Sequence, residues 1–571
     1  MLNRREFLGR GLAALSVAAA YQARCVLGQP SAPCVPTGGE PLWSTGPVRF
    51  LPHLGPCAEV GGLPFSLGWY GDYFPNTLIP FHGSEELLPG GAPPVPQESV
   101  DIAIVGGGLS GLTMAYLLRG YRPVVFELQP RFGGTSQGEF FGGETFSLGG
   151  AYFITPDEGS YLEGFYRELG VDRMRRESPS SDDPTELNGS VVPDFWSGHG
   201  LPPQERDAFA QYAALVQRYV DQYPEIPLEE GADNGWILDL DRKTLRDHIT
   251  GALTVPVPTL LRSAIQAYCY SSFNAGWDEV SAASGINFIA AEEFGRWVLP
   301  GGNAGLVAAL WSRLVAMETN TPRHCPPRHL RAGCRVVDVR VLGQDRCQVT
   351  WRDGAGAFRS LVAKRVVVCS PKHPARHFIH GFEQLEFDQY QATYQINSNA
   401  YVVANVLLDR PVHRRFYDLF LLRDGLSPDG PDGVEAYSRV TDAVNGGFAL
   451  HPSHGRVLTL YWPLPFTTGR FTLIDDAGWQ AYAERFATQI RTILDVLDMR
   501  PRDVRQVRMA RWGHSMPVAA PNFIARGFPQ VLRRPFQDHV FFSHQDNWCL
   551  PAVETCLLEA AYQAPRVAEG L

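Results

Sequence analysis

Short apolar runs alternate along this chain with longer stretches in which apolar residues recur three and four positions apart. Residues 102–105 (IAIV) form a run of strand length. Residues 109–119 follow with helical character, and a second apolar run at 123–126 ends in Glu127. This predicts a strand–turn–helix–strand unit. Residues 140–146 read as one further strand. Between 161 and 290 the period lengthens, most clearly at 209–219 and 260–270, so this block is expected to be largely helical and to serve as a cap or substrate domain. Strand character then returns. Residues 299–303 (LPGGN) precede a helix through Arg313. Residues 335–341 and 347–351 alternate like the arms of a hairpin, and 364–369 read as a buried strand ending at a loop. Alternation at 401–407 and 457–462 predicts a second, mostly antiparallel sheet. An amphipathic helix at 479–497, a strand near 540 and a helix at 555–567 complete the pattern.

The 571 residues are 44% hydrophobic and 19% charged, which supports a large core and more than one domain. A net charge of −10 argues against nucleic acid as the main partner. Residues 3–8 (NRREFL) resemble the twin-arginine export motif, and the apolar stretch at 12–20 falls short of the roughly 20 residues a membrane span needs. Residues 1–28 are therefore expected to be a signal peptide, with cleavage after Ala20, Ala23 or, preferably, Gly28; the alternative is an amphipathic N-terminal helix. Export would place the protein in the periplasm or outside the cell, with the twin-arginine machinery as a partner. That route carries folded proteins, as an enzyme that acquires its cofactor in the cytoplasm requires. Residues 29–98 are rich in proline and glycine but carry Trp43, Trp69, Tyr70 and Tyr73. They read as an ordered extension wrapping the outside of the main body, with nothing catalytic in it.

The ten cysteines include no C-x-x-C pair and none near histidines at zinc spacing, so no metal site is expected. Cys34–Cys57 and Cys325–Cys347 are disulfide candidates, whereas Cys334 and Cys369 lie in strand-like runs as buried thiols.

The first strand–turn–helix–strand unit carries chemistry. Gly106, Gly108 and Gly111 have G-x-G-x-x-G spacing, and Glu127 follows the first glycine by 21 residues. Gly106 permits the tight turn, Gly108 lets a pyrophosphate approach the backbone, and Gly111 lets the helix pack on the strand. The helix N-terminus offers N–H groups to phosphates and Glu127 accepts from ribose hydroxyls. A dinucleotide is the expected ligand. Gly301-Gly302 lacks a preceding strand of the required kind, so one such unit is present; flavoproteins reduced by NAD(P)H commonly carry a second, so for a protein of that kind electrons are expected from an organic substrate.

Four segments, in order, resemble the flavin-containing amine oxidase and phytoene desaturase superfamily. They are the dinucleotide unit with Arg131, Gly133 and Gly134; LPGGNAGLVAAL at 299–310; the strand set at 333–371 ending in VVVCSPKH; and the strand, loop and helix at 540–567. The resemblance implies an α/β fold with a Rossmann-like FAD-binding domain and a mixed α+β substrate domain. Its parts would be FAD-binding segments 99–160, 291–380 and 516–571, a helical cap at 161–290, and a substrate-domain sheet and helix at 381–515. It implies non-covalent FAD, since no cysteine stands at the family's linking position. Glu127 would hold the adenosine ribose, Arg131 the pyrophosphate, and backbone at Val336 the adenine. Gly150 and Ala151 would lie along the isoalloxazine, Asp546 near the phosphate–ribityl region, and the N–H groups of Ala552, Val553 and Glu554 at its pyrimidine end, where a helix N-terminus stabilises negative charge.

Departures from the family pattern bear on chemistry. His544 stands in Ser543-His544-Gln545-Asp546 where the family has a glycine, and Thr135 replaces an arginine. Residues 395–403 offer Asn397 and Asn399 but no lysine to aid oxygen reactivity, which favours a dehydrogenase; the acceptor is left open among oxygen, a quinone and a cytochrome. The expected reaction is oxidation of an amine or amino acid by hydride transfer to flavin N5. Trp548, Trp512, His514 and Tyr152 are expected to line the small-molecule substrate pocket, and His544 to act as a general base or orient a water. A packed indole at Trp548 and a hydrogen-bonded structural histidine at His544 are the alternatives. Rival functions are a desaturase or isomerase of an apolar, carotenoid-like substrate and a non-catalytic flavin-binding partner protein. An acidic funnel would favour a polyamine, and apolar stripes on the cap would favour the desaturase.

Overall fold

The structure is a computed structural model that describes residues 42–72, 87–88, 90–179, 183–319, 329–343, 346–422 and 439–571. The expected signal peptide lies outside these residues, as do Tyr73, Cys25, Cys34 and Cys325. Each disulfide candidate therefore has one member outside them.

Two sheets organise the chain. In the first, Glu98–Val105 (β1) pairs in parallel with Val124–Phe126 (β2) on one side and Phe358–Val368 on the other. Val540–Phe542 also runs parallel to Phe358–Val368. The register sets Val105 opposite both Phe126 and Val368, and Val368 opposite Phe542. Four strands thus stop at one level, the position where α/β sheets open a ligand crevice. The apolar run at 102–105 is continuous because the sheet is covered on both faces. Ile102 and Ile104 share a core with Leu112 and Tyr116 of the helix Leu109–Leu117 (α1) and Leu557 of the helix Val553–Ala568 (α2). Ala103 and Val105 pack with Val349 and Trp351 in the core on the opposite side.

Among the described residues the second sheet has ten strands. Ser398–Leu408 (β3) lies between antiparallel neighbours Val457–Leu464 and Val504–Pro517 (β4), and every residue of β3 is buried. Strand alternation sorts its side chains. Ala400, Val402, Ala404 and Val406 pack on the amphipathic helix Trp479–Val496 through Ala483, Phe486 and Ile490. Tyr401 and Val403 join Trp512 in a separate core. The Tyr401 hydroxyl donates to the Tyr270 and Ser271 carbonyls, which ties β3 to the helix Thr259–Phe273.

Residues 140–146 are not one strand. Gly138–Phe141 and Glu144–Ser147 form a hairpin, turned by Gly142 and Gly143 at φ 61° and 91°. Two successive left-handed residues suit a two-residue turn whose twist matches the strands, and glycine adopts them without strain. The extension before residue 98 also does more than wrap the body. Val48–Phe50 pairs with Gly138–Phe141; Leu63–Ser66 and Cys57–Val60 continue the large sheet beyond β4; Tyr70–Gly71 pairs with β4 at Ala510 and Arg511. The edge of β4 would otherwise present unpaired backbone groups. A buried bidentate pair, Arg508 Nε–Glu139 Oε2 at 2.6 Å and Nη2–Oε1 at 2.9 Å, fastens β4 to the hairpin. Cys369 is buried as expected, whereas Cys334 is only half-buried. Among the described residues no helix is long and apolar enough to cross a membrane.

Candidate active site

One cavity of about 630 Å³ runs from the strand ends of the first sheet to the buried face of the second. At its first end the backbone passes too close to itself for side chains. A Cβ on Gly106, held at φ 111°, would lie 2.8 Å from the Cys369 carbonyl oxygen, and one on Gly111 would strike the Gly106 carbonyl. Gly133 and Gly134 are also left-handed, and Gly133 bridges to Gly108. Gly108 precedes α1, and its start lines the cavity with no side-chain cap among the described residues, which leaves its first N–H groups available to a ligand. Glu127 ends β2. Its Oε2 accepts from Gly107 N and its Oε1 from Gln129 N, each at 2.7 Å. Burial raises its pKa to about 7, against those hydrogen bonds. Val336 lines the same end.

Midway, Asp546 is buried and accepts from Lys372 N at 2.8 Å. His544 Nδ1 lies 3.1 Å from Asp546 Oδ1 and 3.2 Å from Asp546 N. Burial works to raise the Asp546 pKa, but the neighbouring His544 and the hydrogen bond from Lys372 N outweigh it and hold it below the usual value. Further along, Gly150 and Ala151 press against the loop at 301–303: a Cβ on Gly150 would lie 2.5 Å from Asn303 Nδ2, and one on Gly302 2.6 Å from the Ala151 oxygen. Ala552 and Val553 at the start of α2 line the cavity opposite, again with no side-chain cap. Glu554 Oε1 accepts from Ile154 N at 2.8 Å, and burial lifts Glu554 to about 7.

The far end is acidic. Tyr152 donates its hydroxyl proton to Glu292 Oε1 at 2.6 Å. Glu292 Oε2 lies 3.4 Å from Arg296 Nε, and Arg296 pairs with Asp183 through Nη2. Asp183 Oδ1 in turn accepts from Asp418 N at 3.2 Å. Asp418 and Asp442, on adjacent strands, both line the cavity and are 4% and 1% exposed. Thr441 donates to Asp442 Oδ1, whereas Asp418 Oδ1 is buried with no hydrogen-bond partner among the described residues. Three acids, Asp183, Glu292 and Asp418, therefore share the field of one guanidinium, and Asp442 adds its charge beside Asp183 and Asp418. Burial first, and then the neighbouring acids, lift Asp183 to about 6, Asp442 to about 7 and Asp418 well above its usual value, although Arg296 opposes the rise at Asp183 and Asp418. Tyr401 and Tyr461 complete the wall.

Comparison with known proteins places this arrangement. A search of curated protein sequences finds no match. The family of NAD(P)-binding Rossmann-like domains matches residues 104–169. Among solved structures, wild-type putrescine oxidase bound to putrescine aligns with a TM-score of 0.57 at 14% identity, covering 82% of this chain and 99% of that one. A double mutant from a redesign of cofactor binding in the same oxidase aligns at 0.58 and 14%, with the same coverage. This is the amine-oxidase fold. Its two domains meet at the cavity, and the Rossmann-like part supplies the glycine-lined end.

Within that fold, the predicted residues divide. Gly106, Gly108, Glu127, Gly133, Gly134, Gly150, Ala151, Val336, Asp546, Ala552 and Val553 line the cavity, and so do Thr135, Tyr152, Trp512, His514 and His544. Gly111 packs behind it, under Gly106. Trp512 is buried and donates Nε1–H to the Leu148 oxygen at 2.7 Å. His514 stacks on His373 with ring centroids 3.8 Å apart.

Two placements are corrected. Arg131 does not reach the cavity. Its guanidinium donates to the carbonyls of Gly46, Pro47 and Gly138, so it binds the extension to the glycine loop; it is an anchor because three carbonyls surround it. Trp548 is a packed indole. It is 1% exposed, donates to Glu559 Oε2 at 3.0 Å and lies under Arg533. His544 has the geometry of a structural histidine, since Nδ1 is engaged by the Asp546 turn. Asn399 donates to the Asn274 carbonyl and is likewise structural. Sequence reasoning missed the acidic end. Its one local signal is an aspartate before an apolar run, as at Asp418-Leu-Phe-Leu and Asp442-Ala-Val.

Proposed function

We propose that this protein is an FAD-dependent oxidoreductase that oxidises a cationic amine. The acidic far end of the cavity, with the partnerless Asp418 oxygen, carries this reading. Buried acids that outnumber their cations are costly, and a substrate ammonium supplies the missing counter-charge. The same acids count against an apolar carotenoid-like substrate, which would leave them unpaired. Putrescine, bound in one of the aligned oxidases, is a diamine and fits the charge.

The residues at the other end fit non-covalent FAD. Glu127 would hold the adenosine ribose, the α1 N-terminus the pyrophosphate, and the α2 N-terminus the pyrimidine edge of the flavin. FAD bound there would take a hydride from the carbon beside the amine nitrogen. The protein's own work is to hold that carbon in place, to exclude water with Tyr152, Tyr401, Tyr461 and Trp512, and to deprotonate the ammonium. Asp442, with its pKa near 7, accepts that proton at its carboxylate.

The acceptor belongs to the same proposal. Among the described residues no lysine lines the cavity, and Ser398, Tyr401 and Val403 are what β3 contributes. This supports a dehydrogenase using a quinone or a cytochrome over an oxidase. Export by the twin-arginine route rests on residues 3–8 and is tested by replacing Arg4 and Arg5 with lysine and following localisation. The reaction itself is tested by aldehyde release from mono- and diamines with an artificial electron acceptor. Release from a diamine is expected; no release from any amine would remove the proposal.

A further inference from the structure

Asp72 belongs to the extension, ahead of the dinucleotide unit, yet it lines the cofactor end of the cavity. Its position is tightly fixed. Tyr70–Gly71 pairs with β4, and Gly71 sits at φ 78° where a Cβ would lie 2.5 Å from the Arg511 oxygen. Asp72 N then donates to that oxygen at 2.9 Å, and Gly513 N donates to Asp72 Oδ2 at 2.8 Å. The other carboxylate oxygen, Oδ1, lies 3.5 Å from Gln129 Nε2, two residues beyond Glu127. Arg511, whose charge works to lower the Asp72 pKa, donates from Nε to the Asp72 carbonyl at 3.3 Å, from Nη1 to the Asp475 carbonyl and from Nη2 to Asp476.

Two carboxylates, Glu127 and Asp72, therefore share one end of one cavity. Burial lifts Asp72 to about 6, and the Asp72 charge contributes to the rise at Glu127. A phosphate is repelled from such a pair. A vicinal diol suits it, because each hydroxyl donates to one carboxylate.

We propose that Asp72 is a second cofactor-binding carboxylate, which with Glu127 accepts hydrogen bonds from the adenosine ribose hydroxyls of FAD. The inference rests on the FAD reading above. It makes the extension a part of the cofactor site, and it sets that site against nucleotides phosphorylated on the ribose.

The test is equilibrium binding of FAD and FMN to flavin-free protein, read by quenching of flavin fluorescence. FMN lacks the adenosine. Asp72→Ala is expected to weaken FAD about 30-fold, the size of one charge-assisted hydrogen bond, and to leave FMN within about twofold of wild type. Asp72→Asn keeps an acceptor for Gly513 N and so preserves the local fold; about tenfold weakening of FAD alone is expected from the lost charge. FAD affinity within about twofold of wild type in Asp72→Asn, or equal weakening of FAD and FMN, overturns the proposal. Wild-type protein that binds no FAD overturns the cofactor reading itself, and this inference with it.

Discussion

Replacing Asp442 with asparagine separates what the acidic chamber costs from what it does. In the folded protein burial and neighbouring acids move the Asp442 pKa from 3.8 to about 7. The folded state therefore binds the proton more tightly than the unfolded chain, and the associated stability is lost as pH rises from about 4 to about 7. Each unit is worth 1.36 kcal/mol, so the cost of ionising Asp442 grows by about 3 kcal/mol between pH 5 and pH 7, and no further above it. Asp442→Asn escapes that cost. Its stability relative to wild type should rise by about 3 kcal/mol from pH 5 to pH 8, read by chemical denaturation of ligand-free protein at both values. The same change removes half of the Asp418–Asp442 pair, so KM for a diamine should rise at least tenfold at pH 8. A variant whose stability tracks wild type at both pH values, and whose diamine KM is unchanged, would refute the reasoning.

Other outcomes follow from the same geometry. KM for cationic amines should increase as pH falls from 7 to 6, because Asp442 and Asp183 become protonated there and the chamber loses negative charge; a pH profile of kcat/KM checks this. Arg508→Met should cost about 3–5 kcal/mol by stranding Glu139 in the core, and the double variant with Glu139→Leu should recover most of it, measured by denaturation. Trp548→Phe leaves Glu559 short of one donor and should lower stability by about 1–3 kcal/mol with kcat per bound flavin unchanged. His544→Ala should weaken FAD retention by loosening Asp546, while turnover per bound flavin stays within about twofold, measured on flavin-normalised enzyme.

Local patterns were the legible part of this chain. The glycines at 106, 108 and 111, the apolar strand before them and Glu127 after them lie within one short unit whose geometry its own spacing dictates. The α2 N-terminus was legible for the same reason, since Pro551-Ala552 marks where a helix begins beside a strand end. Arg131 and Trp548 show where such reasoning stops. Each stands beside cavity residues in sequence, but side-chain direction is decided by partners from elsewhere: carbonyls of residues 46, 47 and 138 for one, Glu559 for the other. The acidic chamber was hidden more deeply. Asp183, Glu292, Asp418 and Asp442 span more than 250 positions and converge only through strand order and the cap helices. The extension was misjudged because its partner is the edge of β4, more than 430 residues later, where open backbone groups leave no sequence signature.

The central claim is that FAD bound by the Rossmann-like end receives electrons from an amine held at the acidic end. Anaerobic titration of the purified protein, followed by the visible flavin absorbance, tests it most directly. A diamine is predicted to bleach the flavin fully, more efficiently than a monoamine of similar length, and Asp442→Asn should erase that advantage. A protein that carries no flavin, or one whose flavin keeps its colour in the presence of every amine supplied, would contradict the account.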